Sequence, residues 1–401
     1  MTAIQGRAAL GPSRLHVGSA TTVTRLTSAL MVALGSALLL TGCGPVPETS
    51  WSPNDTGIAY CDNGRLRIFD VQTRQSRLLD TGPGRVVSPS WSPDGSAIAF
   101  YSIVQGNHPI VSLCAIDPAN GQVRTLASDV WPLPTKPTPD QAATEESPEK
   151  ALEDAQNEAL IALVLWGTIA WSPDSARLAC VAASASGGAI LLVDSATCAA
   201  APIATDTNAL GMAAWSPDGR RLAYLRAACP PVEQQSGSGR PPGVNTVYVY
   251  DLAAGGKEKV CELPEDIAPV PGTRFEWSGD STQIGFIESD KHHEDRGVAC
   301  TVKAIPDAAV RAEMRGITPV AAWSPGLAGV VFIEQREGNQ WVLIYRGVRP
   351  RARQVLGALP LQSNDQDDWF SLPQFSHNGR KVALRVGSDP FPVNVEVFEV
   401  K

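Results

Sequence analysis

A ten-residue phrase, repeated seven times, constrains this chain more than any other feature. Four copies align without gaps: Trp51-Ser-Pro-Asn-Asp-Thr-Gly-Ile-Ala-Tyr60, Trp91-Ser-Pro-Asp-Gly-Ser-Ala-Ile-Ala-Phe100, Trp171-Ser-Pro-Asp-Ser-Ala-Arg-Leu-Ala-Cys180 and Trp215-Ser-Pro-Asp-Gly-Arg-Arg-Leu-Ala-Tyr224. Weaker copies begin at Trp277, Trp323 and Phe375. The starts are spaced by 40, 80, 44, 62, 46 and 52 residues, so the shortest intervals give the bare unit and the excess marks insertions. The phrase also accounts for a composition in which ten Trp outnumber nine Phe and six Tyr, since six of the ten occupy one repeat position.

Each unit has a physical logic. Residues before the Trp are apolar, as in Met212-Ala-Ala-Trp215, and suit a buried strand. Ser-Pro-Asp-Gly then makes a tight turn, in which Pro presets φ, the Asp or Ser oxygen accepts backbone N–H groups and Gly takes positive φ. Ile-Ala-Phe or Leu-Ala-Tyr returns as a second strand. A third ends in Asp at Asp70, Asp117, Asp194 and Asp251, and a short fourth follows a polar turn. Four antiparallel strands every 40-odd residues form the blade of a β-propeller. The predicted fold is therefore all-β: a propeller of seven blades, each of four antiparallel strands, with one inserted helix near 148–160.

The Trp-Ser-Pro-Asp-Gly units resemble the WD-like repeats of the TolB propeller family, which also occur in the propellers of prolyl oligopeptidase-type enzymes. The resemblance covers nearly all of residues 51–400 and implies fold rather than function, because the motif residues pack blades and tie turns. TolB itself has six blades and an additional N-terminal domain, for which the seven motifs leave no room.

Residues 1–25 carry Arg7, Arg14 and Arg25 and no acid, and an apolar run from Leu26 to Leu40 follows. The run is too short for a stable span and reads as a secretion signal. Leu40-Thr41-Gly42-Cys43 resembles the lipobox of bacterial lipoproteins, which makes Cys43 the lipidation site. The expected organisation is a signal peptide over 1–42, a lipid-anchored tether over 43–50 and the propeller over 51–401, with an insertion at 131–164. Removing 1–42 takes three Arg and no acid from a chain of net charge −8, leaving −11. Such a protein is exported and held at a bacterial membrane by its acyl chains. Its acidity argues against a nucleic-acid groove.

With strands lettered A to D from the channel outward, the long segments fall on B–C and D–A connections, which share one face. They are 131–164, the 229–244 loop in blade 4, 288–297 in blade 5 and 358–369 before blade 7. Loops on a rigid scaffold commonly carry function, so this face is expected to meet a ligand. Candidate contacts there are Trp131, His292, His293, Asp365, Asp367, Asp368 and Trp369. His292-His293-Glu294-Asp295 is the one cluster with metal-ligand chemistry, but neighbours on a loop rarely converge on an ion, and no metal or other cofactor is expected. The inner strands are mostly small and apolar, and only Arg274 and Glu276 in blade 5 stand out, as further candidate ligand contacts or as an isolated salt bridge. No Gly-x-Ser-x-Gly elbow and no His-Glu-x-x-His helix occurs, so no catalytic residue is assigned.

The expected function is binding of a protein, peptide or envelope ligand through the decorated face. The alternatives are a propeller hydrolase or lactonase with a channel metal site, and a structural Tol-like envelope component. Cys180–Cys198 and Cys229–Cys261 each lie within one blade and are candidate disulfides. Closure poses a puzzle: residues 394–400 read as strand C of blade 7, nothing supplies its strand D, and only 44–50 precede the first Trp.

Overall fold

The computed structural model describes residues 49–401 apart from 106–108, 134–146, 185–186, 228–244, 264–266, 271, 291–292, 337–339, 361–367 and 389–393. Seven antiparallel sheets follow one another, and in each the inner strand ends at a motif Trp or Phe. Blade 1 shows the pattern: strands A (Thr49–Trp51), B (Gly57–Asp62), C (Arg65–Asp70) and D (Ser76–Leu78), paired in that order. Blades 2, 3, 4 and 6 repeat it. In blade 5 the inner position is split between Ile267–Pro269 and Glu276–Trp277, and in blade 7 between Asp368–Phe370 and Gln374–Phe375.

The motif turns are built as their residue types require. Ser216 is fully buried; its Oγ donates to Asp218 Oδ1 at 2.6 Å and accepts the Arg221 N–H at 2.9 Å. Ser92, Ser172, Ser278 and Ser376 repeat both bonds. The Gly position takes positive φ at Gly95, Gly219 and Gly379, at +76°, +69° and +70°. Asp55, Ser175 and Ser281 adopt the same backbone at 56°, 60° and 58°, and in each the side chain bridges to the preceding blade. Ser175 Oγ accepts the Asp94 N–H at 3.0 Å and Ser281 Oγ the Asp218 N–H at 3.2 Å. The hydrogen bond offsets a conformation that glycine would take without cost.

The Trp ladder joins the blades. Indole N–H groups of Trp51, Trp171, Trp215 and Trp277 donate to Gln374, Ser90, Ala170 and Ala214 carbonyls at 3.0–3.1 Å. Trp323 donates to Phe286. Strands B and C supply the apolar core between blades, with Ile58, Ile98, Leu178, Leu222, Ile284, Val330 and Val382 all fully buried.

Thr49–Trp51 are strand A of blade 1, which answers the closure puzzle. Blade 7 ends on Asn394–Glu399, paired with Lys381–Ser388, and the ring closes by contact rather than by a shared strand. Asp55 accepts the His377 N–H at 2.8 Å and the Asn378 N–H at 3.2 Å, Trp51 reaches Gln374, and the Arg385 guanidinium lies 5.5 Å from the Tyr60 ring centre.

Three expectations need correction. The inserted helix, α1, runs over Pro148–Trp166 rather than ending near 160. Ser147 caps it, its Oγ accepting the Lys150 N–H at 3.2 Å, and the added residues bury Leu163 in the core beside Leu160. Most of residues 288–297 are strand rather than loop: strand B runs to Asp290, strand C starts at His293, and the two residues pair with each other. Cys180, Cys198 and Cys261 are free thiols, while Cys229 lies outside the described residues.

Candidate binding site

The inner strands enclose a cavity of about 390 Å³ on the ring axis. Its walls come from strands A of blades 2 to 7, and it reaches Pro93, Pro173, Pro217 and His377 of the A–B turns. The cavity therefore lies toward the turn end of the channel. The D–A segments, α1 among them, attach at the opposite end of strand A.

Most of the wall is small or aromatic: Ala170, Ala213, Ala214, Ala321, Ala322 and the motif Trp rings. Blade 5 breaks this pattern with Arg274 and Glu276, which both line the cavity, just before and within the short strand Glu276–Trp277. The two form no ion pair. Arg274 Nε and Nη2 are shielded from solvent and have no acceptor among the described residues. Burial lowers the pKa of this guanidinium and the nearby Tyr101 phenol opposes that, but arginine stays charged. Tyr101 is itself committed, its hydroxyl donating to Val181 O at 2.7 Å within 3.2 Å of Thr168 O.

Glu276 is half-buried. Desolvation pushes its carboxyl up to about 8, with the Gly326 N–H opposing in part. At neutral pH it is mostly protonated, so it does not neutralise Arg274. The site is thus a dry guanidinium beside a neutral carboxylic acid, which favours an anion.

The other sequence candidates fall elsewhere. Trp131 is a correction: it is 7% exposed and belongs to the same buried apolar cluster as Leu133, Leu160 and Leu163, so it is a core residue rather than an open contact. His293 lies in strand C of blade 5, and Asp368 and Trp369 in the inner strand of blade 7. His292, Asp365 and Asp367 lie outside the described residues, as does Cys43. Among the described residues no group of three or more His, Cys, Asp or Glu is placed to hold a metal ion. Sequence reasoning missed Trp166, which ends α1 and lies against Gly211 of strand A in blade 4, where a Cβ would stand 2.8 Å from its ring. The signal was an apolar run, Leu160 to Trp166, too long for a linker.

No family model matches the chain, and no curated protein matches its sequence. Solved structures do resemble it. TolB from Acinetobacter baumannii shares 18% identity at a TM-score of 0.46, over 86% of this chain and 71% of that one. An oligogalacturonate lyase from Vibrio parahaemolyticus shares 13% at 0.56, over 90% of both chains. Hydrazine synthase from Kuenenia stuttgartiensis shares 11% at 0.55, over 89% of this chain and 96% of that one. At these identities the likeness is one of fold. The repeated Trp-Ser-Pro-Asp turns and the seven four-stranded sheets make this chain a seven-bladed β-propeller.

Proposed function

We propose that this protein is an exported, lipid-anchored binding protein, and that its ligand, a protein or peptide of the cell envelope, places a carboxylate against Arg274 in the channel. The carrying observation is the Arg274 guanidinium, with two buried N–H groups that no described residue accepts. An unsatisfied buried donor costs roughly 1–3 kcal/mol. A carboxylate satisfies both N–H groups at once in the two-pronged geometry that guanidinium favours. A cavity of about 390 Å³ takes a chain terminus or an acidic side chain, not a folded domain.

Calorimetric titration with short peptides tests this reading. Peptides ending in a free carboxylate bind, their C-terminal amides do not, and Arg274→Gln weakens binding on the order of 30-fold or more. Equal binding of acid and amide, or unchanged affinity in Arg274→Gln, overturns it.

The anchor belongs to the same reading. It rests on the basic and apolar leader and on Leu40-Thr-Gly-Cys43. No helix among the described residues is long and apolar enough to cross a membrane. Fatty-acid labelling of the membrane-bound protein, lost together with membrane attachment in Cys43→Ser, is the expected result.

A further inference from the structure

Two blades cover the motif Trp of the next blade with an arginine. Arg177 opens strand B of blade 3 and sets its guanidinium 5.5 Å from the centre of the Trp215 ring. Arg221, at the same place in blade 4, stands 5.3 Å from the Trp277 ring. It donates to the Ala304 carbonyl at 3.3 Å and to the Ser281 carbonyl.

In blade 1 that position is Gly57, and the ring it should cover is Trp91. The space is open. A cleft of about 650 Å³ runs between blades 1 and 2, and its wall includes Gly57, Asp70, Arg77, Trp91, Asp94 and Gly95. Trp91 is half-buried, whereas Trp51, Trp171, Trp215, Trp277 and Trp323 are all buried. Its indole N–H finds no acceptor among the described residues, so it has also left the inter-blade ladder.

The cleft is a missing side chain rather than a distorted backbone. A Cβ built on Gly57 would meet Ser52 Oγ at 3.4 Å and Ile68 Cγ2 at 3.5 Å, ordinary contacts. Blade 6 also has glycine here, at Gly329, but the ring of Tyr345 fills the space. Ile68 holds the equivalent strand C position in blade 1 and is too short to do so.

We propose that this cleft receives an arginine side chain of a partner polypeptide, with the guanidinium over Trp91 as Arg177 and Arg221 lie over Trp215 and Trp277. The face of an indole ring attracts a cation. The Gly95 carbonyl stands where Ser281 offers its own to Arg221, four residues past the motif Trp. Asp70 and Asp94 line the same cleft as carboxylates, Asp70 being held by the Gln72 and Thr73 N–H groups. Arg77 is the opposing charge, but its Nη2 is tied to the Pro118 carbonyl at 2.8 Å on the outer side, so the lining keeps one net negative charge. The chain as a whole, at −8, adds attraction at longer range.

Protein-observed NMR of indole N–H groups tests this, with Trp91→Phe assigning the resonance. Acetyl-arginine-amide shifts the Trp91 signal saturably, while its neutral citrulline analogue does not. Gly57→Arg fills the slot from within: the signal moves without ligand, no longer responds, and the protein melts above wild type. Arg274→Gln leaves the response intact, which separates this site from the channel. No shift with acetyl-arginine-amide, an equal shift with citrulline, or an undiminished response in Gly57→Arg overturns the proposal. The first two results need only the wild-type fold.

Discussion

At the scale of single residues, Arg274 and Glu276 give the channel its chemistry through opposite consequences of burial. Desolvation holds the Glu276 carboxyl at about 8, against about 4.3 in an unfolded chain. Between those values the native protein keeps a proton that the unfolded chain has released. The contribution of this group to stability is therefore fully present below about pH 4 and is lost as pH rises toward 8, by up to about 1.4 kcal/mol per pH unit. Glu276→Gln should flatten that fall in denaturant titrations between pH 5 and pH 8, and an unaltered slope would show that Glu276 is not the source. Above pH 8 the ionised carboxylate competes with an anionic ligand, and the same variant should keep its affinity there. Both residues were legible from sequence as the charged pair in an otherwise apolar inner strand. The orphaned guanidinium was not, because whether two charges on one strand pair with each other depends on where the neighbouring blades stand. Trp131 misled for the same reason: an indole in an insertion looks available until it is seen to join the buried core.

At the scale of the element, the A–B turn is a closed hydrogen-bonded unit, and the serine after the Trp is its centre. The buried Ser216 Oγ accepts the Arg221 N–H and orders Asp218. Its bond to Ser216, with the Arg220 N–H, holds the Asp218 carboxyl below the ordinary carboxylate range despite burial that works the other way. Ser216→Ala should cost roughly 1–3 kcal/mol, because the N–H loses its acceptor where water cannot replace it. Thermal or urea unfolding measures this, and a change below about 0.5 kcal/mol would mean that the turn holds by its backbone alone. Turns and strands were legible because they repeat with local chemistry. The length of α1 was not: its last turns are apolar enough for either element, and only the cap at Gly167, whose N–H donates to Leu163 O at 2.6 Å, ends it there.

At the scale of the whole molecule, the ring has one joint where its ends meet, and Asp55 sits in it. Its carboxylate accepts two backbone N–H groups from blade 7 while its own backbone is held at φ 56°. Two substitutions separate these terms. Asp55→Ala loses the charge-assisted bonds and keeps the strain, at a cost of roughly 1.5–3 kcal/mol. Asp55→Gly loses the bonds but relaxes the backbone, so it should melt between Asp55→Ala and wild type. Equal melting of both variants would remove the strain from this account. Seven blades could be counted from the motif, but the way they close could not, because a carboxylate in the glycine slot has no sequence signature apart from its partner 322 residues away. The same joint has a mechanical consequence. Strand A of blade 1 enters from the end of the disc that carries α1, and an anchor at Cys43 would lie within roughly 20 Å of Thr49. A tether pulled from the membrane would load a three-residue strand beside the only junction between the chain's two ends among the described residues. Tension would reach that junction before any other part of the ring, and the channel mouth would face away from the bilayer.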